Sequence, residues 1–80
     1  RSRKIFWALK KGKEKDINIK INQGPEDQVI KIILEDDQGI SVVYERVHHP
    51  GDNFKVPVEI FGEAHVYIYR DGELWREQAM

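Results

Sequence analysis

The sequence has no cysteine and no threonine, and it contains only two serines, Ser2 and Ser41. Without cysteine, neither a disulfide framework nor a Cys-ligated zinc site can be built. Ser2 lies in a basic N-terminal stretch, and Ser41 lies inside a predicted strand, where no glycine-flanked elbow presents it as a nucleophile. Acyl-transfer chemistry of the Ser-His-Asp type is therefore not expected, and we predict a non-catalytic chain.

Long apolar runs are also missing. The longest are a few residues, such as residues 5–7, whereas a bilayer-spanning helix needs about 20. No signal-peptide pattern is present either, so we expect no membrane span within this chain. Because the first residue is Arg1 rather than Met, we expect the chain to be a piece of a longer protein, with any anchor elsewhere.

Charge is unevenly distributed along the chain. Residues 1–15 carry seven basic groups and one acidic group, whereas residues 16–80 carry six basic and thirteen acidic groups. This pattern indicates a basic leader or linker before a single acidic domain, unless residues 4–9 form a first strand. Phe6 and Trp7 in the leader could stack on single-stranded nucleic acid. The acidic body would repel a polyanion, so no nucleic-acid partner is predicted.

Apolar residues alternate with polar ones along most of the chain, which is typical of half-buried β-strands. Turn residues interrupt the alternation every 8–12 residues, the spacing expected of a β-sandwich or small barrel. The predicted fold is all-β, a small antiparallel sandwich of immunoglobulin-like form with six to seven strands. Six of these strands are predicted at residues 17–21, 28–35, 40–47, 54–60, 64–69 and 74–77.

Two of these segments and one turn carry positional signals. Residues 28–35 have apolar side chains on both faces, which predicts a central strand. Pro57 cannot donate a hydrogen bond to a ladder, so its strand is expected at an edge or at a bulge. Asp71-Gly72 is typical of a type I′ hairpin turn, in which both residues have positive φ.

Strict alternation also predicts which side chains face inward. In the segment after the turn at Gly39, it places Ile40, Val42 and Tyr44 on one face. The apolar stripes are expected to face the core, and the stripes of lysine, glutamate, arginine and tyrosine to face outward.

The adjacent residues His48 and His49 are the best candidates for metal ligands. A third ligand could come from Asp52 or His65, but the spacing matches no metal motif. Neighbouring side chains on an extended chain point in opposite directions, which opposes joint ligation. We therefore expect both histidines in a solvated turn that ends a strand before Pro50, and we predict no metal site and no cofactor.

Acidic residues are also interpreted structurally. The run at residues 35–37, followed by Gly39, lacks the ligand spacing and closing glutamate of a calcium-binding loop. A hairpin turn between two apolar strands accounts for it. Glu45, Glu59 and Glu63 are expected on a solvated face rather than as a catalytic carboxylate pair.

Four aromatic residues are the candidates for a ligand or partner surface: Tyr67, Tyr69, Trp75 and Trp7. Tyr67 and Tyr69 alternate with a core stripe and could meet Trp75 across the last hairpin. An exposed aromatic strip would bind a carbohydrate or a protein. The same rings could instead form the inner face of the second sheet.

The order of motifs resembles a known family over residues 16–77. The carrying segments are IILEDDQGISVVYE (32–45), HHPGD (48–52), the alternating residues 54–60, and GEAHVYIYRDGEL (62–74). They are similar to the immunoglobulin-like domain at the extracellular C-terminus of bacterial PASTA-containing serine/threonine kinases. In that family, a D-x-x-G turn precedes a V-Y-E strand, then a P-G-D turn and a G-x-A-x-V strand that enters a D-G hairpin.

The resemblance implies a membrane-bound parent kinase with PASTA repeats that sense peptidoglycan fragments. This chain would be a non-catalytic extracellular module that spaces or caps the sensor, or assists its recognition of the cell wall. Peptidoglycan fragments or a cell-surface protein would be its partners. None of the kinase motifs, such as V-A-I-K, H-R-D or D-F-G, occurs here. The alternative is a carbohydrate- or protein-binding module of an unrelated surface protein.

Overall fold

The computed structural model describes residues 12–80, which form six β-strands and contain no helix. The strands are β1 (Lys13–Lys20), β2 (Gln28–Asp36), β3 (Gly39–His48), β4 (Asn53–Ile60), β5 (His65–Arg70) and β6 (Glu73–Ala79). The all-β prediction is confirmed, although β1 begins four residues earlier than the alternation predicted. The alternative first strand at residues 4–9 lies outside the described residues.

The strands form two antiparallel sheets. Sheet 1 contains β1 and β4, and sheet 2 contains the strands in the order β3-β2-β5-β6. β2 lies between β3 and β5, so its predicted central position is confirmed. Short turns connect β2 to β3 and β5 to β6, which is why these neighbours pair antiparallel.

The core lies between the two sheets and is built from alternate residues of β1, β2, β4 and β5. Ile17 and Ile19 of sheet 1 are fully buried, as are Ile30 and Ile32 of sheet 2. Burying one such side chain contributes about 1.5–3 kcal/mol, so this isoleucine-rich layer is the main source of stability. The core members are Ile17, Ile19, Ile21, Ile30, Ile32, Leu34, Val56, Val58, Ile60, Ala64, Val66 and Ile68.

Pro57 lies in β4, opposite Asp16 of β1, and its side chain is exposed. Among residues 12–80, β4 pairs with no strand other than β1, so its second edge is free of a ladder there. Proline is tolerated at such an edge because the missing N–H removes no bond from a sheet interior. The predicted edge position is confirmed.

The β5–β6 hairpin turns at Asp71 and Gly72, whose φ angles are 52° and 86°. Two positive φ values match the predicted type I′ turn, whose twist fits the twist of the flanking strands. The turn is also bound to β2, because the Val29 N–H donates to Asp71 Oδ1 at 2.9 Å and the Asp71 N–H donates to the Val29 carbonyl oxygen at 2.9 Å.

The predicted face of β3 is wrong because a β-bulge interrupts the strand. Tyr44 pairs with Ile32, but Val42 pairs with Ile33, so Val43 is an extra residue in the ladder. A bulge of this kind shifts the alternation by one residue. Val43 and Tyr44 consequently both pack against the core, while Val42 lies on the opposite face.

The turn between β2 and β3 is bound to the loop between β4 and β5. Asp36 accepts a hydrogen bond from the Phe61 N–H at 2.9 Å, and the Asp37 N–H donates to the Phe61 carbonyl oxygen at 3.0 Å. Gly62 follows with a φ of +78°, and a Cβ atom there would clash with the Asp37 carboxylate. Glycine is therefore required where the chain crosses from sheet 1 to sheet 2.

Candidate functional site

The most distinctive surface of the protein is the side of sheet 2 that faces away from the core. Residues paired directly across antiparallel strands share a face, so the register assigns the side chains to it. We call this surface the outer face of sheet 2. Its residues are Ile40, Val42, Glu45 and Val47 of β3, Val29, Lys31, Ile33 and Glu35 of β2, His65, Tyr67 and Tyr69 of β5, and Leu74, Glu77 and Ala79 of β6.

Apolar side chains are concentrated on this face. Within residues 12–80, every large hydrophobic residue classed as exposed belongs to it, with exposed fractions from 38% to 69%. These residues are Val29, Ile40, Val42, Val47 and Leu74. Scattered single apolar residues are normal on a protein surface, but a contiguous apolar patch marks an interaction site.

Tyr67 and Tyr69 lie on the outer face of sheet 2, half-buried among these residues. Tyr67 pairs with Ile33 and donates its hydroxyl hydrogen to Glu35 Oε1 at 2.9 Å. This hydrogen bond raises the pKa of the Tyr67 phenol above its ordinary value, because the carboxylate favours the protonated donor. The structure thus places both predicted tyrosines outside the core.

Trp75 does not join the two tyrosines. A bulge in the β5–β6 ladder pairs Tyr69 with Leu74 and Ile68 with Arg76, leaving Trp75 as the extra residue. Its ring packs partly against the core, with Arg70 Cζ 5.0 Å from the ring centroid. Across the hairpin, Tyr69 is therefore paired with Leu74 and Tyr67 with Glu77, and neither is paired with Trp75. The fourth candidate, Trp7, lies outside the described residues.

Several residues of the face were not singled out from the sequence. Val42 was predicted to face the core, because the bulge at Val43 cannot be read from alternation, and Val47 was assigned to a strand without a face. A signal did exist in β2, where Val29 and Ile33 are apolar on the face opposite the core stripe. Apolar residues on both faces of a strand predict that both faces are covered, by the core or by a partner.

A cleft of about 570 Å³ lies at one end of the outer face of sheet 2. Carboxylates from three segments line it, namely Glu35, Asp36, Asp37 and Glu63. His65 also lines the cleft, and its Nε2 lies 2.8 Å from Glu77 Oε1. Because Glu35 and His65 belong to both surfaces, the cleft is a negatively charged extension of the apolar face.

His48 lies in a contact between the edges of the two sheets. Its ring stacks on Phe54 of β4, with centroids 3.8 Å apart and an interplanar angle of 2°. One ring nitrogen, Nε2, lies 2.5 Å from the Tyr44 hydroxyl, and the other, Nδ1, lies 3.2 Å from Asp52 Oδ2. The expectation of a solvated His48 is wrong, because only 13% of its side chain is exposed. Both nitrogens are engaged, so the imidazole is a structural link here.

His49 points away from His48, as the alternation predicted. Its Nδ1 lies 2.8 Å from Asp27 Oδ1, and this bond raises the pKa of the exposed imidazole above its ordinary value. The backbone N–H of His49 donates to Asp52 Oδ2 at 3.0 Å and, together with His48, lowers the pKa of that carboxyl. In residues 12–80, no three His, Asp or Glu side chains converge in a geometry that could hold a metal ion.

Ser41 is exposed on β3 opposite Leu34. Over the part of the chain that the structure describes, no hydrogen bond joins its hydroxyl to a histidine or a carboxylate. A serine nucleophile needs such a base within reach. Within residues 12–80, Ser41 therefore has no such base.

No family model, no curated protein and no solved structure matches this chain. The structure also contains, between residues 12 and 80, no helix with the length and apolar character needed to cross a membrane. What the residues themselves establish is a six-stranded antiparallel β-sandwich with one polar outer surface and one apolar outer surface.

Proposed function

We propose that this chain is a non-catalytic binding module and that its binding surface is the outer face of sheet 2. The observation that carries the proposal is the concentration of the exposed large hydrophobic residues on this one face. Stability does not require them there, because each lies on the side of the sheet opposite the core. A covered apolar face gains free energy in proportion to the area removed from water.

The chemistry of the remaining candidates supports a binding role. The Tyr44–His48–Asp52 group links two strand edges through paired ring nitrogens, which leaves no free base in it. His49 and Asp27 form an exposed pair in which the side chains are 74% and 52% exposed. General acid–base catalysis needs a base held within reach of a bound substrate, and neither group offers an enclosed position for one.

The cellular context of the module is proposed from the family resemblance of residues 16–77. On that basis the chain belongs to the extracellular part of a bacterial serine/threonine sensor kinase. There it would space or cap the sensor, or assist its recognition of the cell wall. The sequence motifs alone carry this context.

A second candidate is a carbohydrate- or protein-binding module of an unrelated surface protein. The position of Tyr67 and Tyr69 outside the core favours it, because aromatic side chains on a surface supply large contact areas. Both candidates use the same surface and differ in the parent protein.

The proposed surface can be tested by a heteronuclear NMR titration of the full chain with soluble peptidoglycan fragments and with a neutral oligosaccharide. Amide shifts that cluster on the outer face of sheet 2 would support the proposal. Shifts confined to the exposed side of sheet 1, around Asn18 and Lys55, would contradict it. Silence toward both ligands would argue against recognition of the cell wall and would leave a protein partner or a spacer role.

A variant pair separates binding from folding. The double variant V42T and V47T removes apolar surface from the outer face of sheet 2 and should abolish the shifts. The matched double variant N18T and K55T changes the exposed side of sheet 1 and should leave them unchanged. If both double variants lost the ligand-induced amide shifts equally, the shifts would not report on binding to the outer face of sheet 2.

A further inference from the structure

We infer that the outer face of sheet 2 binds a polypeptide segment that carries apolar side chains flanked by basic ones. This inference rests on the proposed function, because it names the partner of the same surface. Three features of the face support this inference: the arrangement of its charges, the acidic cleft at its end, and the packing of the Tyr67 ring against His65.

The charges on the face are predominantly negative. Lys31 is its only lysine or arginine, whereas Glu35, Glu45 and Glu77 are its carboxylates. Glu77 is hydrogen-bonded to His65, and Glu35 accepts a hydrogen bond from the Tyr67 hydroxyl. Within residues 12–80, neither Glu35 nor Glu45 forms an ion pair with a lysine or arginine. Among the described residues, these two carboxylates thus have no basic partner, which is the arrangement that a cationic ligand would complement.

The acidic cleft extends the negative charge of the outer face of sheet 2 beyond its apolar residues. It shares Glu35 and His65 with the face and adds Asp36, Asp37 and Glu63. A segment lying across Val42, Ile33 and Tyr67 toward β6 would have this cleft at its side. Clustered charges of one sign raise the local concentration of an oppositely charged partner and speed its association.

The same charges oppose two other occupants. A second copy would bring Glu35, Glu45 and Glu77 against an identical acidic surface, and like charges brought together at an interface are unfavourable. An anionic saccharide or acidic peptide would meet the same repulsion. A neutral saccharide would need open ring faces, but the Tyr67 ring is tilted against His65, with centroids 4.8 Å apart.

The apolar part of the partner is argued from the exposed residues. Val42, Val47 and Ile40 are each more than half exposed and lie along the edge strand β3. Leu74 lies on the opposite edge strand β6 and is 49% exposed. Apolar side chains spaced along a segment would cover both ends of this surface, while flanking lysines or arginines would reach the carboxylates between them.

The test uses the full chain and a short peptide of alternating lysine and isoleucine, with a counterpart in which each lysine is glutamate. Binding is measured by the changes in amide chemical shifts as each peptide is added, and the affinity is determined at two salt concentrations. We expect the lysine peptide to shift the amide resonances of the outer face of sheet 2, and its affinity to fall as the salt concentration is raised. The glutamate peptide should bind at least about tenfold more weakly.

Matched variants identify the carboxylates responsible. Each substitution keeps an acceptor oxygen, so the hydrogen bonds of the folded chain are retained. Exposed ion pairs are individually weak, so the loss of three is expected to lower affinity by about tenfold. The test variant is E35Q, E45Q and E77Q, and the control is E14Q, D16N and E59Q, which removes as many carboxylates from the exposed side of sheet 1.

The outcomes separate this inference from the proposed function. Equal binding of both peptides at the outer face of sheet 2 would overturn the charge preference but leave the surface as a binding site. Equal loss of affinity in the two triple variants would overturn the inference in the same way. If no probe shifts this face, both proposals fail. A concentration-dependent dimer that covers the face would assign it to a second copy and overturn the inference.

Discussion

The two sheets have similar inner faces and different outer faces. Both inner faces are built of isoleucine and valine, with Ile17 and Ile32 as fully buried examples. The outer residues of sheet 1 are all exposed and none is a large hydrophobic: Glu14, Asp16, Asn18, Lys20, Asn53, Lys55, Pro57 and Glu59. The outer face of sheet 2 is mostly apolar and aromatic.

This difference separates the side chains that the fold requires from side chains that it does not require. A small sandwich is stabilised by burying the inner face of each sheet, and a solvated outer face is then expected to be polar. Sheet 1 follows that rule. Sheet 2 departs from it along all four of its strands, and such departures from local consistency are expected at functional surfaces.

The largest expected effect on stability comes from comparing the two faces of sheet 2 at neighbouring residues of β2, which point to opposite sides. Ile32→Ala should lower the free energy of unfolding by about 2–5 kcal/mol, because it leaves a cavity in the core. Ile33→Ala, on the outer face of sheet 2, should cost less than half of that. Urea unfolding measures both, and equal costs would show that the outer face is as tightly packed as the core.

The crossing between the sheets should be the next most sensitive position. Gly62→Ala forces a left-handed backbone on a residue with a side chain, at a cost of about 1–2 kcal/mol, and drives its Cβ into Asp37. Gly24→Ala is the control, because its Cβ would meet nothing within 4 Å. Thermal unfolding should show a clear loss for the first variant. A similarly small change in both would mean that the crossing is not tightly fixed.

The contact between the sheet edges is expected to contribute less. Tyr44→Phe removes the hydroxyl that meets His48 Nε2, and a hydrogen bond of this kind is worth about 1 kcal/mol. Tyr69→Phe is the matched control on the outer face of sheet 2, and its free energy of unfolding should be nearly unchanged. The reverse order would show that the outer face, rather than the edge contact, holds its tyrosine in place.

Removing apolar surface from the outer face should leave stability almost intact. The double variant V42T and V47T is expected to stay within about 0.5 kcal/mol of the wild type, because both side chains are more than half exposed. Its retention on a hydrophobic-interaction column should nevertheless fall. The double variant N18T and K55T should not reduce retention, and a similar fall would erase the distinction between the two outer faces.

The smallest expected effect is a pH dependence at the exposed loop beside β3. Asp27 raises the pKa of His49 in the folded state, so this pair stabilises the fold below pH 6.5. The contribution is lost as pH rises through the raised pKa. In an NMR titration, Asp27→Asn should move the His49 midpoint downward, whereas Glu77→Gln, on the outer face of sheet 2, should leave it unchanged.

Local patterns account for most of the fold. The alternation of Val56, Val58 and Ile60 was sufficient to place β4 and its inward face, and Pro57 restricted that strand to an edge or a bulge, of which the structure shows the edge. Asp71-Gly72 determined the last hairpin, because few other residue pairs adopt two positive φ values readily. These features depend on neighbouring residues only, which is why they were predictable.

The candidate surface was only partly predictable. Tyr67 and Tyr69 could be identified from their alternation with Val66 and Ile68, but the inner or outer position of their stripe stayed open. The involvement of Val42 could not be foreseen, because the bulge at Val43 depends on how β3 aligns with β2. Likewise, the bulge opposite Tyr69 directed Trp75 toward the core.

The sequence by itself therefore determined the strands, their turns and the inward stripes of β1 and β4, since these follow from side-chain alternation and from the φ preferences of Gly, Asp and Pro. The tertiary structure alone decided which strands are neighbours and where the bulges fall. It also decided that apolar side chains of sheet 2 that do not face the core lie together on one surface. Register and strand order depend on contacts between residues far apart in sequence, so no local pattern contains them.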